Sequence, residues 1–181
     1  LASRDIVQVA APGINALRDE TSASCHLAVR EGLEAVYLHR AHSPQVLAVN
    51  VPIGTRFMCH TVAIGRALLF GLENEELGHL YGGVALDGHR SGAPRSLPEL
   101  RMLVAREREQ GYSVSSSDFS TAFAAPLVNF AGEVVGAVNV SVPDFFITDP
   151  AVRQRLTACL LEAAARISQR LGGGRPAGAA P

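Results

Sequence analysis

The 181-residue sequence contains no lysine, and all sixteen of its basic residues are arginine. Without a lysine amine, Schiff-base catalysis and a P-loop phosphate site are both excluded. Cysteine is scarce as well: the three that occur, Cys25, Cys59 and Cys159, are an odd number without the close spacing of a disulfide framework. This cysteine usage indicates a protein of the reducing cytoplasm.

Long apolar runs and an excess of either charge are also missing. No stretch reaches the roughly 18 apolar residues that a membrane span needs, and the N-terminus lacks the charged-then-apolar pattern of a signal peptide. Sixteen basic and seventeen acidic residues leave a net charge of -1, which argues against a nucleic-acid-binding or membrane-binding face. We therefore predict a soluble cytoplasmic protein with no membrane partner.

What the sequence does contain is enough apolar residues, 48% of the total, to fill one core. Its length suits one domain, or one domain with an appendage. We divide the chain into a connector helix remnant at residues 1–20, one domain at 21–171 and a tail at 172–181. The tail is rich in Gly, Pro and Ala, and we expect it to be disordered.

The spacing of apolar residues predicts a mixture of helices and strands. Residues 1–20 predict two short helices, because Pro12-Gly13 interrupts their shared apolar face. Alternation from Thr21 to Val51 predicts antiparallel strands, the last of them over 46–51. An irregular segment over 56–60 then leads into a helix over 61–70.

Local start and stop signals place the remaining elements. Ser96 to Glu99 is a capping box that opens a helix ending at Gly111, and Asp149-Pro150 opens the last helix. Further elements are a helix over 73–81, strands over 112–114, 123–128 and 134–142, and a serine-rich loop over 115–120. Strands mixed with helices, without regular βαβ alternation, indicate an α+β fold with an antiparallel sheet.

Two Cys-His pairs, Cys25-His26 and Cys59-His60, invite a metal or nucleophile interpretation. Adjacent side chains on a strand point to opposite faces, so the first pair cannot share an ion. The second pair lies at a loop-to-helix junction without close third and fourth ligands. We predict no metal and no cofactor, and expect buried cysteines with hydrogen-bonded histidines.

No complete catalytic set is visible elsewhere. The serines over 113–120 lack a Gly-x-Ser-x-Gly nucleophile turn. The carboxylates lie mostly at predicted helix N-termini, where they favour the helix dipole; these are Glu73, Glu75, Glu76, Asp144 and Asp149. We predict no catalytic residue and no enzymatic activity.

One arrangement resembles a binding cup. The helix over 61–70 begins directly after an irregular segment, so N–H groups near Val62, Ala63 and Ile64 are placed to meet an anion. Asn139 and Ser141 lie two residues apart on one face of an apolar strand, and would need partners if that face is interior. The alternative is an exposed sheet face, and spacing alone does not choose between them.

Four segments in order resemble the C-terminal effector-binding domain of the IclR-type family of bacterial transcription regulators, over about Leu17 to Gly172. They are GTRFMCHTVAIGRALL at 54–69, REQGY at 108–112, AAPLV at 124–128 and GEVVGAVNVS at 132–141. The first is similar to the family pattern Gly-x-Arg-x-Pro-x-His-x-x-x-x-Gly-Lys-Ala-Leu-Leu. The resemblance implies a GAF-like antiparallel sheet of about six strands flanked by helices.

The resemblance also implies a site and partners. It places an effector among two wall residues, two amide donors at a helix start, a loop serine, a strand alanine and two polar strand residues. In that order these are Val49 and Phe57, Ala63 and Ile64, Ser115, Ala122, and Asn139 with Ser141. The implied partners are a small organic acid with a carboxylate, one or three further copies in a homo-dimer or tetramer, and DNA. DNA would be bound only through a winged helix-turn-helix that we expect to be missing from this chain.

The chain departs from the family pattern at the pocket. Ala122 stands where the family often has cysteine, Ile64 where it has a small residue, and the serine loop is shorter, so the cavity is expected to be narrower or shifted. Met58 replaces a proline and Arg66 a lysine. The alternatives are a structural oligomerisation module with a vestigial pocket, or an enzyme that uses Cys59 or His60.

Overall fold

The computed structural model describes residues 3–45, 51–86 and 92–172. Its strands are β1 (Ser24–Glu31), β2 (Glu34–Ala41), β3 (Arg56–Met58), β4 (Ser113–Ser116), β5 (Ser120–Val128) and β6 (Val134–Pro143). Its helices are α1 (Ser3–Thr21), α2 (Ala63–Leu68), α3 (Asn74–Tyr81), α4 (Leu97–Gln110) and α5 (Pro150–Arg170). Within these residues, no helix is both long and apolar enough to cross a membrane.

The described strands form one antiparallel sheet of six strands in the order β3-β2-β1-β6-β5-β4. β1 and β6 pair at its centre, where His26 lies opposite Asn139 and Cys25 opposite Val140. The turn between β1 and β2 is made by Gly32 with a φ of 60°, which glycine adopts without strain. The predicted α+β class with a six-stranded antiparallel sheet is confirmed; the predicted strand over 46–51 lies, apart from Val51, outside the described residues.

Helices cover both faces of the sheet. α1 and α5 pack on one face against alternate residues of the central strands, such as Leu27, Val138 and Val140. α2, α3 and α4 pack on the other face against the intervening positions, such as Ala124 and Ala137. Because side chains alternate along a strand, each central strand contributes to both cores.

α1 is one continuous helix, so the prediction of two short helices is wrong. Pro12 removes one helical hydrogen bond, yet the apolar stripe from Ile6 to Leu17 continues past it and is completely buried. Gly13 permits close contact with α5, because a Cβ atom there would lie 2.6 Å from Cγ1 of Ile167. Packing of this stripe outweighs the local break.

The segment from 56 to 70 also differs from expectation. Its first three residues form β3, which pairs with β2, and Cys59–Thr61 form a 3₁₀ turn. The helix over 61–70 is therefore shorter, since α2 covers only Ala63–Leu68. Gly65 lets α2 fold back on this turn, because a Cβ atom there would lie 2.5 Å from the Cα of Cys59.

The helix starts and stops that the capping signals predict are confirmed, but the box at Ser96 is only half formed. The Ser96 hydroxyl accepts from the Glu99 N–H at 3.3 Å, and α4 is followed by Gly111 with a φ of 89°. The Glu99 carboxylate accepts from the Arg95 N–H at 2.8 Å and not from the Ser96 N–H that a capping box requires. Asp149 accepts from the Ala151 N–H at 2.9 Å and begins α5. β4 extends through Ser116, so the predicted loop over 115–120 begins as a strand.

The predicted boundary between the domain and the tail, at residue 172, lies at a backbone contact. Gly172, just beyond α5, forms a bridge with Asn129 after β5. The rest of the predicted tail, 173–181, lies outside the described residues.

Candidate functional site

A cavity of about 170 Å³ lies on the α2 face of the sheet, between the start of α2 and the ends of β4, β5 and β6. Every predicted site residue except Val49 lines it, and Val49 lies outside the described residues. These lining residues are Phe57, Ala63, Ile64, Ser115, Ala122, Asn139 and Ser141. The cup is therefore a cavity in the fold, and the alternative of an exposed sheet face does not hold, since Asn139 and Ser141 are both buried.

Asn139 is held in one orientation by His26 on the neighbouring strand. Its Oδ1 accepts from the His26 backbone N–H at 3.0 Å and lies 2.9 Å from His26 Nδ1. Because a backbone N–H only donates, this amide atom is the oxygen, and the His26 ring must carry its proton on Nδ1 to complete the second bond. Burial lowers the pKa of His26 to about 4, so the ring is neutral near pH 7.

The other end of the Asn139 amide faces its strand neighbour. Nδ2 donates to the Ser141 hydroxyl at 3.4 Å, and no other described residue accepts from it. An amide nitrogen carries two N–H groups, so one remains for a ligand. Asn139 is thus a fixed donor at the base of the cavity.

Ala63, expected to offer its amide to a ligand, has a protein partner instead. Its N–H donates to the Ser115 hydroxyl oxygen at 2.9 Å, across the cavity mouth from α2 to β4. The hydroxyl hydrogen of Ser115 is left to point elsewhere. On this wall the serine hydroxyl is therefore one donor offered to a ligand. The second predicted amide donor, the N–H of Ile64, stays a prediction.

The described walls of the cavity carry no formal charge. The polar residues among them are uncharged serines, Asn139 and Tyr37, and the rest are apolar. Tyr37 also meets Phe57 edge to face, with ring centroids 5.7 Å apart. A ligand here would be held by neutral hydrogen-bonding groups and apolar contacts.

The two Cys-His pairs lie apart from any assembled reactive centre. Cys25 packs in the α1/α5 core, whereas His26 faces Asn139 on the opposite side, as strand alternation predicts. Cys59 is completely buried, and burial raises the pKa of its thiol to about 12, so it is no nucleophile near pH 7. In the described ranges, no group of three or more His, Cys, Asp or Glu side chains is placed to hold a metal ion.

Sequence reasoning missed several contributors to the site. Tyr37, Val51, Val62, Ser117 and Ser120 complete the lining. His26 was expected to be hydrogen-bonded, but its partner was not identified, although a polar residue on an apolar strand needs one. That requirement at Asn139 was the available signal, but the register between β1 and β6 was needed to find the partner.

The structure thus combines an antiparallel sheet, helices on both of its faces and an uncharged cavity on one of them. The chain belongs to the IclR family: the model described as "Bacterial transcriptional regulator IclR C-terminal" matches residues 1–169. The family consists of transcriptional regulators and is not enzymatic, which confirms the prediction of no enzymatic activity. The match includes α1, which packs into the core.

Individual relatives agree with this assignment. The chain is 31% identical over 153 residues to the HTH-type transcriptional repressor AllR of Salmonella typhi, covering 81% of this chain and 55% of that protein. The chain thus spans about half the length of the curated relatives it matches.

Solved structures show the same fold. The C-terminal domain of the E. coli transcriptional regulator KdgR superposes with a TM-score of 0.83 at 24% identity, covering 93% of this chain and 99% of that one. The Thermotoga maritima IclR superposes with a TM-score of 0.84 at 20% identity, covering 92% of this chain and 68% of that one.

Proposed function

We propose that this domain binds a small organic effector in the cavity between α2 and the ends of β4 to β6. The observation that carries the proposal is the buried, pre-oriented Asn139, which lines the cavity; its oxygen is occupied by His26, while only one of its two amide N–H groups has an acceptor among the described residues. Such preorganisation costs little on binding, because the group is already fixed.

The lining combines polar and apolar side chains. Asn139, Ser141 and Ser115 supply hydrogen-bonding groups, and Phe57, Ile64 and Ala122 supply apolar surface. Ala122 lies between Ser115 and Ser141 in the sheet register, so apolar and polar groups alternate along this wall. Such a lining suits a small ligand with an apolar body and a polar group. If that group is the carboxylate expected from the sequence, it is held by neutral donors, and its affinity depends strongly on Asn139.

Membership of a family of transcription regulators supports a regulatory step. Effector binding would change the DNA affinity of a winged helix-turn-helix outside this chain, in a cytoplasmic homo-dimer or tetramer. For such coupling the effector must bind one arrangement of the oligomer more tightly than another. The relative AllR is named as an HTH-type repressor, which supports a regulatory role for the whole protein.

Thermal unfolding with a panel of small aliphatic, aromatic and sugar acids tests the proposal. Each acid is paired with its primary amide, which keeps the shape and removes the charge. A ligand at roughly 100 times its dissociation constant adds about 2.7 kcal/mol to the free energy of unfolding. We expect stabilisation by one chemical class, and the acid–amide pair shows whether the charge matters.

Variants assign the effect to the cavity. Asn139→Ala combined with Ser141→Ala should abolish the stabilisation. Asn15→Ala is a matched control, because the Asn15 amide oxygen also contacts a histidine, His39 at 3.2 Å, but does so on the exposed surface. Stabilisation that survives the double change would reject the cavity as the site. No stabilisation by any compound would favour an oligomerisation module with a vestigial pocket.

A further inference from the structure

A buried ion pair lies beside the cavity without lining it. The guanidinium of Arg66 on α2 meets the carboxylate of Glu107 on α4 through two parallel contacts of 2.9 Å, from Nε to Oε2 and from Nη2 to Oε1. Both side chains are 3–4% exposed, and among the described residues no other Arg, Asp or Glu is buried. Burying two charges costs solvation free energy that their attraction repays only when further hydrogen bonds satisfy the remaining donors and acceptors, so the partners of those remaining groups matter.

The remaining hydrogen-bonding groups of the pair are directed at the backbone of β4. Arg66 Nη2 donates to the Val114 carbonyl, and Glu107 Oε1 accepts from the Val114 N–H at 3.1 Å. Among the described strands β4 stands at the edge of the sheet, so no described strand pairs with its outer backbone groups. The ion pair satisfies those of Val114 as a further strand would.

The same arginine also holds the other wall of the cavity. Nη1 of Arg66 donates to the His60 carbonyl at 3.3 Å, in the turn that leads into α2. Ser115, the residue after Val114, accepts from the Ala63 N–H at the start of α2. The ion pair and this bond therefore join the α2 wall and the β4 wall at adjacent residues.

We propose that Arg66 and Glu107 are positioning residues for the cavity: they hold β4 against the start of α2 and so set the cavity's width and the size of ligand it accepts. Neither side chain touches the ligand. Only the statement about ligand size rests on the proposed function, whereas the statement about wall position concerns the fold itself.

The test replaces both charges together by Arg66→Met and Glu107→Leu. An apolar pair of similar volume often preserves the stability of a buried ion pair, but it cannot bond the backbone of Val114. The matched control makes the same two changes at Arg166 and Glu162, an exposed pair 2.8 Å apart on α5. If the double variant does not fold, Arg66→Lys carries the test, because it keeps the charge and loses the two-pronged contact.

Amide hydrogen exchange decides the wall position without any ligand. We expect the Ala63 amide to exchange about tenfold faster in the double variant. Without the ion pair, β4 can move away from α2, so the hydrogen bond between the Ala63 N–H and Ser115 opens more often. Amides of the central strands, such as that of Val138, should keep their rates, as should Ala63 in the Arg166/Glu162 control. An unchanged Ala63 rate would overturn the proposal.

The proposed effect of the ion pair on ligand size is tested by measuring ligand preference. Wild-type protein and variant are compared by thermal shift with straight-chain aliphatic acids of increasing length and their amides. We expect the variant to prefer ligands of a different length, or to lose the length preference. If the preference is unchanged while the Ala63 amide exchanges faster, the ion pair only holds the fold together and has no role in ligand selectivity. If no compound stabilises the wild-type protein, the proposed function fails for this class of ligand. The proposal that the ion pair positions β4 is then tested by the Ala63 exchange rate alone.

Discussion

The two faces of the sheet are built from different kinds of side chain. The face under α1 and α5 is packed with aliphatic residues and Phe123. The face under α2, α3 and α4 also contains the buried polar groups of His26, Asn139, Ser141 and the Arg66–Glu107 pair. Apolar burial is the main source of folding free energy, whereas buried polar groups mainly impose geometry. Both faces therefore bury an apolar core, and the α2 face in addition holds the polar groups that line and flank the cavity.

This contrast predicts the largest stability loss on the α5 face. Leu160→Ala removes a completely buried side chain and should lower the free energy of unfolding by about 2–5 kcal/mol. Its neighbour Leu161 is 37% exposed, so Leu161→Ala should cost about 1 kcal/mol or less. Urea denaturation measures both, and similar losses would show that the α5 face is not a close-packed core.

The next effect belongs to His26 on the other face, and it depends on pH. Because burial lowers its pKa from 6.5 to about 4, the unfolded chain binds a proton more readily than the folded one between these values. Stability is complete above pH 6.5 and falls as the pH drops towards 4, by up to roughly 3 kcal/mol.

His26→Asn isolates this contribution. The asparagine amide can donate to Asn139 where the ring Nδ1–H does, but it does not titrate. Denaturation from pH 7 to 4 should therefore show a shallower loss in the variant. His39→Asn is the control for a partly exposed histidine, whose pKa burial also lowers. The assignment to His26 would be contradicted by equal slopes in wild type and His26→Asn.

Two glycines sharpen the comparison at a smaller scale. Gly65→Ala places a Cβ atom 2.5 Å from the Cys59 backbone. This backbone cannot move without separating α2 from the 3₁₀ turn before it. We therefore expect the free energy of unfolding to fall by about 1–3 kcal/mol. Gly78→Ala on α3 meets only the end of the Arg101 side chain, and should change stability by less than about 1 kcal/mol. Thermal unfolding of both variants, made by the same chemical change, tests whether the α2 face is close-packed at the cavity.

The smallest expected effect is at the cavity mouth. Ser115→Ala removes the partner of the Ala63 N–H and should cost about 1 kcal/mol. Ser116→Ala removes a part-buried contact with Thr121 at 3.2 Å and should cost less, about 0.5 kcal/mol. Chemical denaturation measures the two losses of stability. A larger loss for Ser116→Ala would show that Ser116, which does not line the cavity, contributes more to stability than Ser115.

Much of the fold was predictable where the signals are local. Ser96 and Gly111 bound α4, and Asp149 begins α5, because capping chemistry acts within one helical turn. α1 was predicted wrongly, since the effect of Pro12 is local but the packing of its stripe against α5 is not. β3 was missed for the same reason: three residues become a strand only by pairing with β2.

The site was predicted to a similar extent. Alternation placed Asn139 and Ser141 on one face, and the family resemblance supplied Phe57, Ile64 and Ala122, all of which line the cavity. The expected free amide of Ala63 was not found, because Ser115, 52 residues later in the chain, accepts from it. No local pattern encodes such a contact.

The sequence by itself determined the class of fold, the family, the limits of most helices and the face on which the polar strand residues lie. These follow from side-chain periodicity, capping and motif order, which act over a few residues. Only the tertiary structure decided that α1 continues through Pro12, that His26 orients Asn139, and that Arg66 and Glu107 bond the edge of β4. Each of these depends on groups far apart in the chain, whose contacts form only when the sheet and its two helical layers are packed together.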